Sequence, residues 1–279
     1  MKKKNWLITG ISSGLGKALA EAVMESGDFV IGTFRKQEQV DAFNKANEGK
    51  GTSVLLDTAD IDGIQKTLTE VLAKHTIDVL VNNAGVGFVG AVEETSIEEV
   101  RLVFEPNFFG ALKVTQAVLP HFRAQKSGHI IQISSHGGIK AFGGFGIYNA
   151  SKFALEGFSE ALAQEVAPLG IKVSIVEPGP FRTKFAAAGL GEAKNVIDDY
   201  SETAGAFRAK LKGVDGKQEG DPVKAAKAII DLANAEKPSL RLPLGKTALM
   251  TIGMKLDSVK ADLEQHKKTA ENAIFLENV

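Results

Sequence analysis

The sequence predicts an α/β fold, a three-layer sandwich with a mostly parallel sheet covered by helices on both faces. Three observations carry that reading. Short β-type runs alternate with longer helical periodicities through the first two thirds of the chain. The runs are too continuously apolar for strands with one wet face, which implies a covered parallel sheet. The 279 residues, 44% hydrophobic and 24% charged, can bury a sizeable core, and residues 1–279 are read as a single domain.

The β-type runs fall at Trp6–Thr9, Phe29–Thr33, Val54–Leu56, Val79–Val81, His129–Ile133 and Val173–Val176. Helical patterns lie near Gly14–Ser26, Gln37–Asn47, Ile61–His75, Ile97–Gln125 and Tyr148–Pro168. The stretch Ala186–Pro222 is rich in Gly, Ala, Lys and Asp and has no clear period. It is read as a variable loop over about 184–221, equally suited to a substrate lid or to plain surface. A helix is expected near Pro222–Ala235, then the short run "SLRLPLG". A C-terminal helical extension over about 245–273 follows, amphipathic from Lys255 to Ala273.

A formal net charge of −1 argues against nucleic acid or an anionic membrane as partner, since both demand a basic surface. No apolar run approaches the roughly 20 residues that span a bilayer. The opening Met-Lys-Lys-Lys leads into an apolar stretch too short for a secretion signal. The chain has no cysteine, which excludes disulfides and thiolate catalysis and fits a cytoplasmic location. His75, His121, His129, His136 and His266 are scattered singly, so no metal site is expected.

After the first run, "WLITGISSGLGKALAEAVMESG" sets Gly10, Gly14 and Gly16 between strand and helix. Glycines there allow a tight turn and let bare backbone approach a pyrophosphate at a helix N-terminus. Ser12 and Ser13 add hydroxyls that can cap the helix. The spacing G-x-x-x-G-x-G departs from the usual dinucleotide fingerprint, and an ordinary tight connection would also use glycines. The second run ends in "VIGTFRKQEQ", with no acid but with Arg35 and Lys36. An acid there would suit the 2′-hydroxyl of NAD, whereas arginine suits the 2′-phosphate of NADP.

From Ile97 a stripe steps through Val100, Phe104, Asn107, Ala111, Val114 and Val118, one helix face on which only Asn107 is polar. Pro106 should kink that helix and free a carbonyl. Asn107 is either a satisfied residue at the kink or a holder of water beside a site. "GHIIQISSHGG" ends a strand in Ser134 and Ser135, where open parallel sheets bind ligands, although serines also begin ordinary loops. No nucleophile elbow accompanies them. Tyr148 and Lys152 lie four apart and share a helix face. A neighbouring ammonium would lower the phenol pKa by about 1–3 units and poise it for proton transfer. Alone, the pair could equally be a surface contact.

The pieces "TGISSGLG" (Thr9–Gly16), "LDTAD" from Leu56, "NNAG" (Asn82–Gly85), Asn107, "ISS" ending at Ser135, "YNASK" (Tyr148–Lys152) and "PGPFRT" (Pro178–Thr183) stand in the order and spacing of one family. The chain resembles the short-chain dehydrogenase/reductases from Lys4 to roughly Thr183. The tail is similar to the bacterial branch near retinol and 17-beta-hydroxysteroid dehydrogenases. The resemblance implies a Rossmann-type domain with a seven-stranded sheet and a homodimer or homotetramer. Tyr148 would be the proton donor/acceptor, Lys152 would lower its pKa and bond the nicotinamide ribose, Ser135 would polarise the carbonyl, and Asn107 would hold a water. The cofactor would be bound by Gly10, Ser12, Ser13, Gly14, Leu15, Gly16, Arg35, Asp57, Asn83, Ala84, Gly85, Pro178, Gly179 and Thr183 together with Tyr148 and Lys152. Arg35 matches the basic position of NADP(H)-preferring members, with NAD(H) a possible second cofactor. Pro106 before the asparagine and Lys184 after Thr183 depart from the family's pattern.

Phe88, Phe142, Phe145, Phe181 and Phe185 lie in loops after strands. If they converge, they favour a small apolar ketone, aldehyde or alcohol as substrate; otherwise they merely pack the loops. The first expectation is thus an NADP(H)-dependent carbonyl reductase or alcohol dehydrogenase. The alternatives are a non-catalytic NADP(H)-sensing regulator on the same fold, and an epimerase or dehydratase that keeps its NAD.

Overall fold

The computed structural model describes residues 3–183, 185 and 190–275. The apolar run β1 (Asn5–Ile8) pairs with β2 (Phe29–Phe34) on one side and β4 (Val79–Asn82) on the other. With β3 (Gly51–Leu55), β6 (Gly128–Ile133), β7 (Ile171–Pro178) and β9 (Arg241–Leu244) these form a seven-stranded sheet. Its order is β3-β2-β1-β4-β6-β7-β9 and every pairing is parallel. The chain reverses its direction of travel across the sheet between β1 and β4, which opens a crevice beyond their carboxyl ends.

Side-chain alternation along the strands supplies two cores. Trp6 and Ile8 point to one face, with Leu19 and Val23 of α1 (Gly14–Glu25), Val40 of α2 (Gln37–Ala46) and Ile229 of α8 (Pro222–Asn234). Leu7 points to the other, with Leu68 of α3 (Ile61–Lys74), Val114 and Val118 of α5 (Ala111–Gln125) and Leu162 of α6 (Gly146–Val166). Trp6 and Leu7 are both 0% exposed, so neighbouring residues of one strand fill opposite cores. This is the double burial that the continuous apolar runs require.

The structure corrects the sequence reading in four places. The helix expected over Ile97–Gln125 is α4 (Ile97–Phe104) and α5 joined by a π-turn at Glu105–Gly110. A π-turn inserts one residue per turn and rotates everything before it. Ahead of it the buried positions are therefore Glu99 and Val103, while Ile97 is 63% exposed and Phe104 is half-buried. The apolar stripe holds only from Asn107 onward. The second correction is β5 (Gly87–Val89), a three-residue strand too short to show a period. Third, the segment taken as irregular contains β8 (Leu190–Glu192), which pairs with β5, and α7 (Ala206–Gly213). Finally, α9 (Lys246–Glu271) lies within the helical extension expected over about 245–273, but the stretch read as amphipathic from Lys255 buries no face: from Leu256 every described residue is exposed.

Candidate active site

The turn after β1 is built for close backbone approach. Gly10 has φ +70°, and a Cβ there would lie 3.1 Å from Ala84. A Cβ on Gly16 would collide with Asn83 Nδ2 and the Gly10 carbonyl. Asn83 Nδ2 donates to the carbonyls of Thr9 (2.9 Å) and Gly10 (3.0 Å), while Thr9 Oγ1 accepts from the amides of Asn83 and Ala84, both at 3.0 Å. Asn83 therefore staples the turn after β1 to the end of β4. Ser13 occupies the N-cap of α1, but its side chain makes no cap bond, contrary to the expected capping role. The first amides of α1 and the exposed Ser12 and Ser13 hydroxyls thus remain available to an anion.

Thr183, from the loop after β7, stands 3.5 Å from the Cβ position of Gly14 and closes the turn from above. In the same loop the Gly179 amide bonds the Leu244 carbonyl at 2.8 Å, and Pro178 takes the long 3.5 Å contact from Ser135 Oγ. Arg35, at the end of β2, is exposed and pairs with no carboxylate among the described residues; Lys36 pairs with Glu38. Asp57 is exposed beyond β3 and accepts from the Ala59 amide. A stapled glycine turn, uncapped helix amides and an unpaired arginine one strand over fit a phosphorylated dinucleotide. Lys184 lies outside the described residues.

The proton-transfer candidates line the same crevice. Tyr148 and Lys152, on the first turns of α6, are 5% exposed each, and Ser135, after β6, is 8% exposed. The Cβ position of Gly137 lies 3.2 Å from Ser135 Oγ and 3.6 Å from Tyr148 Cε1, so serine and tyrosine flank one point. Ser135 Oγ accepts from the Gly137 amide at 3.0 Å. Asn149 braces this loop by donating to the Gly137 carbonyl (2.8 Å) and accepting from the Phe142 amide (2.9 Å). Lys152 Nζ donates to the Ile133 carbonyl at 2.8 Å and stands 5.9 Å from the Tyr148 ring centroid.

The electrostatics differ from the expected lowering of the phenol pKa. Burial pushes Tyr148 up to about 12, with the nearby Ser135 hydroxyl pulling the other way. Lys152, with its Nζ 5.9 Å from the ring centroid, does not offset the effect of burial. Burial pushes Lys152 down to about 8, and Glu156 opposes that fall. At neutral pH the phenol therefore keeps its proton and the amine remains mostly charged.

Asn107 is 1% exposed and fully engaged through its amide. Nδ2 donates to the Val86 carbonyl (2.9 Å) and Ser151 Oγ (3.0 Å), and Oδ1 accepts from the Val86 amide (2.8 Å). Its Oδ1 is 2.9 Å, and Lys152 Nζ 3.6 Å, from the Cβ position of Gly85, so any side chain at Gly85 would fill this corner. Pro106 is the second residue of the π-turn that carries Asn107. Ser151 and Asn149, inside "YNASK", were missed as supports; only their place beside the candidate Tyr148 could have signalled them.

The phenylalanines converge in part. Phe145 stacks on Tyr148 with centroids 4.3 Å apart, and Phe185 meets the same ring edge-on at 5.7 Å. Phe142 joins them through Phe207, which the sequence reading did not single out. Phe88 instead packs with Val103 and Ala193, and Phe181 lies over Gly220. The segment carrying Phe207 is fastened by two buried glutamates. Glu94 accepts from the amides of Ala91 and Ile197 and from Arg208, and Glu99 accepts from the Lys194 amide. Both carboxyls are held below the ordinary carboxylate range by these backbone donors, the Ile197 amide foremost for Glu94 and the Ser96 amide for Glu99.

A parallel sheet with its crevice at the reversal of strand order, and a serine, tyrosine and lysine beside a stapled glycine turn, define a dinucleotide-dependent oxidoreductase scaffold. The family model described as short chain dehydrogenase matches residues 4–192. The chain belongs to the short-chain dehydrogenase/reductase family, whose cofactors are nicotinamide dinucleotides. A short-chain dehydrogenase from Streptomyces avermitilis superposes with a TM-score of 0.91 at 44% identity, covering 98% of this chain and 99% of that one. The 3-ketodihydrosphingosine reductase of Bacteroides thetaiotaomicron is 37% identical over 243 residues, 86% of this chain and 87% of that protein. The NADPH-dependent 3-dehydrocapnine reductase of Ornithobacterium rhinotracheale is 35% identical over 255 residues, 88% and 89% of the two chains. Human retinol dehydrogenase 8 is 36% identical over 253 residues, 84% and 79% of the two.

Proposed function

We propose that the protein is an NADPH-dependent reductase of apolar ketones or aldehydes, able to run in reverse on the alcohols. The observation that carries this reading is the buried, protonated Tyr148 phenol, flanked by Ser135 and backed by Lys152 in the crevice of the glycine turn. The nicotinamide supplies or accepts the hydride when bound. Tyr148 gives its proton to the substrate oxygen, a task suited to a phenol that burial keeps neutral. Ser135 Oγ orients and polarises the carbonyl, with its own hydroxyl fixed by the Gly137 amide. Lys152 faces the phenol as a buried cation and favours the developing phenolate. Asn107 holds the π-turn to Val86 and to Ser151 beside Lys152; with both N–H groups engaged, a relay water would rest on turn carbonyls. Arg35 favours the 2′-phosphate of NADP over the 2′-hydroxyl of NAD.

The substrate class follows from the wall of Phe145, Phe185, Phe142 and Phe207 around Tyr148. Two of the relatives are named as reductases, of 3-ketodihydrosphingosine and of 3-dehydrocapnine, and the second is named as NADPH-dependent. Oxidation of NADPH against a panel of long-chain 3-ketones, aromatic ketones and aldehydes tests the reading. Tyr148→Phe is expected to lose about 10²–10⁴-fold in turnover while binding NADPH as well as wild type. Retained turnover in that variant would refute the mechanism.

A further inference from the structure

Behind the Tyr148–Lys152 pair lies a buried carboxylate that the chemistry above does not use. Glu156 follows Lys152 by four residues on α6, so the two side chains are neighbours on one helix face. Glu156 is 4% exposed. Its Oε2 accepts from Arg241 Nη2 at 2.9 Å. Its Oε1 has no hydrogen-bond partner among the described residues and faces the Ser134 hydroxyl across Gly138 without bonding geometry.

Arg241 comes from the edge strand β9 and is shared three ways. The same guanidinium reaches Glu160 Oε1 at 2.7 Å and, through Nε, Glu177 Oε1 of β7 at 2.9 Å. One cation therefore confronts three carboxylates, two of them buried. Buried charge persists only where it is paired, so the excess must be met by protonation or by a second cation. Protonation falls first on Glu177, which burial and the nearby Glu156 push up to about 7. Lys152, one turn earlier on α6, is the second cation that acts on Glu156 from within the fold, at longer range than the Arg241 ion pair; Lys255 and Lys260 of α9 line only the outer groove that Glu156 and Arg241 also border. Burial also raises Glu156, while Ser134, Arg241 and Lys152 hold it back.

We propose that Glu156, fixed by Arg241, is a positioning residue for Lys152: its carboxylate keeps the buried ammonium charged and directed at the phenol. The assignment rests on the role given to Lys152 above. It also explains why a carboxylate with one unsatisfied oxygen is kept beside an active site rather than an apolar side chain.

Lysine isotopically labelled at Cε, titrated by NMR in the full chain, reads the effect without requiring turnover. The Lys152 resonance, assigned by its loss in Lys152→Arg, is expected to titrate near pH 8 in wild type. In Glu156→Gln it should move down by about one pH unit or more. Turnover near pH 8 then falls about fivefold in that variant and hardly changes near pH 6, because a one-unit drop leaves about a tenth of the amine charged instead of half. Glu156→Asp, which keeps the charge, should return most of the shift, so an equal displacement in both variants would point to packing and overturn the proposal. Coincident titrations in folded wild type and Glu156→Gln would overturn it as well. Silence of the wild-type enzyme toward every carbonyl compound would instead strike at the proposed function, and the NMR titration would still decide the role of Glu156.

Discussion

Glu177→Gln is expected to make the protein more stable above neutral pH. Glu177, the last residue but one of β7, is 1% exposed beside Glu156, and its carboxyl is pushed from the ordinary 4.5 up to about 7, chiefly by burial. An acid whose pKa is raised in the folded state binds a proton more tightly there than in the unfolded chain. Its stabilising contribution is complete below about pH 4.5 and is lost as pH rises through about 7. At ~1.4 kcal/mol per pH unit, the rise from 4.5 to about 7 corresponds to about 3 kcal/mol lost by neutral pH. Glutamine resembles the protonated form and does not ionise. Denaturant unfolding of wild type and variant from about pH 4.5 to 8.5 should therefore give a difference curve that climbs by about 3 kcal/mol in favour of the variant, levelling above about pH 7. Taking the difference cancels Glu94, Glu99 and the other groups that do not interact with Glu177; Glu156, which does, is removed by repeating the comparison in a Glu156→Gln background. A flat difference, or one that falls with pH, would show that the Arg241 ion pair outweighs burial and would refute the reasoning.

Two further substitutions probe the crevice. Arg35→Ala should weaken NADPH binding by ~10–100-fold, the worth of a charge-assisted hydrogen bond to phosphate; NADH affinity should stay unchanged, and equal losses measured by fluorescence titration would remove the NADP preference. Asn107→Ala strands the Val86 amide and carbonyl and removes the donor to Ser151 Oγ, which keeps its own bond to the Tyr148 carbonyl; it is expected to cost about 2–4 kcal/mol in denaturant unfolding, and a loss below about 1 kcal/mol would mean that water replaces the carboxamide.

The layered fold was legible in the sequence because parallel strands buried on both faces leave a strong local signature, and Trp6, Leu7 and Ile8 write it in three letters. The residues that line the crevice were legible because each sits where the chain must turn: Gly10 after β1, Asn83 after β4, Ser135 after β6. What stayed hidden depends on contacts between distant segments. The π-turn at Glu105–Gly110 shifts the phase of α4, and no count of threes and fours reveals an inserted residue. Strand β5 is held by pairing with β8, so neither segment has a period of its own. The fate of the Tyr148 pKa was also invisible, since spacing gives the nearness of Lys152 but not the depth at which both are buried. Glu156 carries no local signal, because the partner that fixes it, Arg241, lies 85 residues further along the chain.

The Asn83 carboxamide has a consequence for how the crevice is walled. On the sheet side, that side chain clamps both strand ends at fixed separation, so this wall yields only if the sheet itself is disturbed. On the opposite side, the segment bearing Phe207 rests on a three-residue ribbon and on carboxylates at its edge. The two walls of the crevice are thus secured by different means, one by the sheet's own strand ends and the other by bonds between segments far apart in the chain.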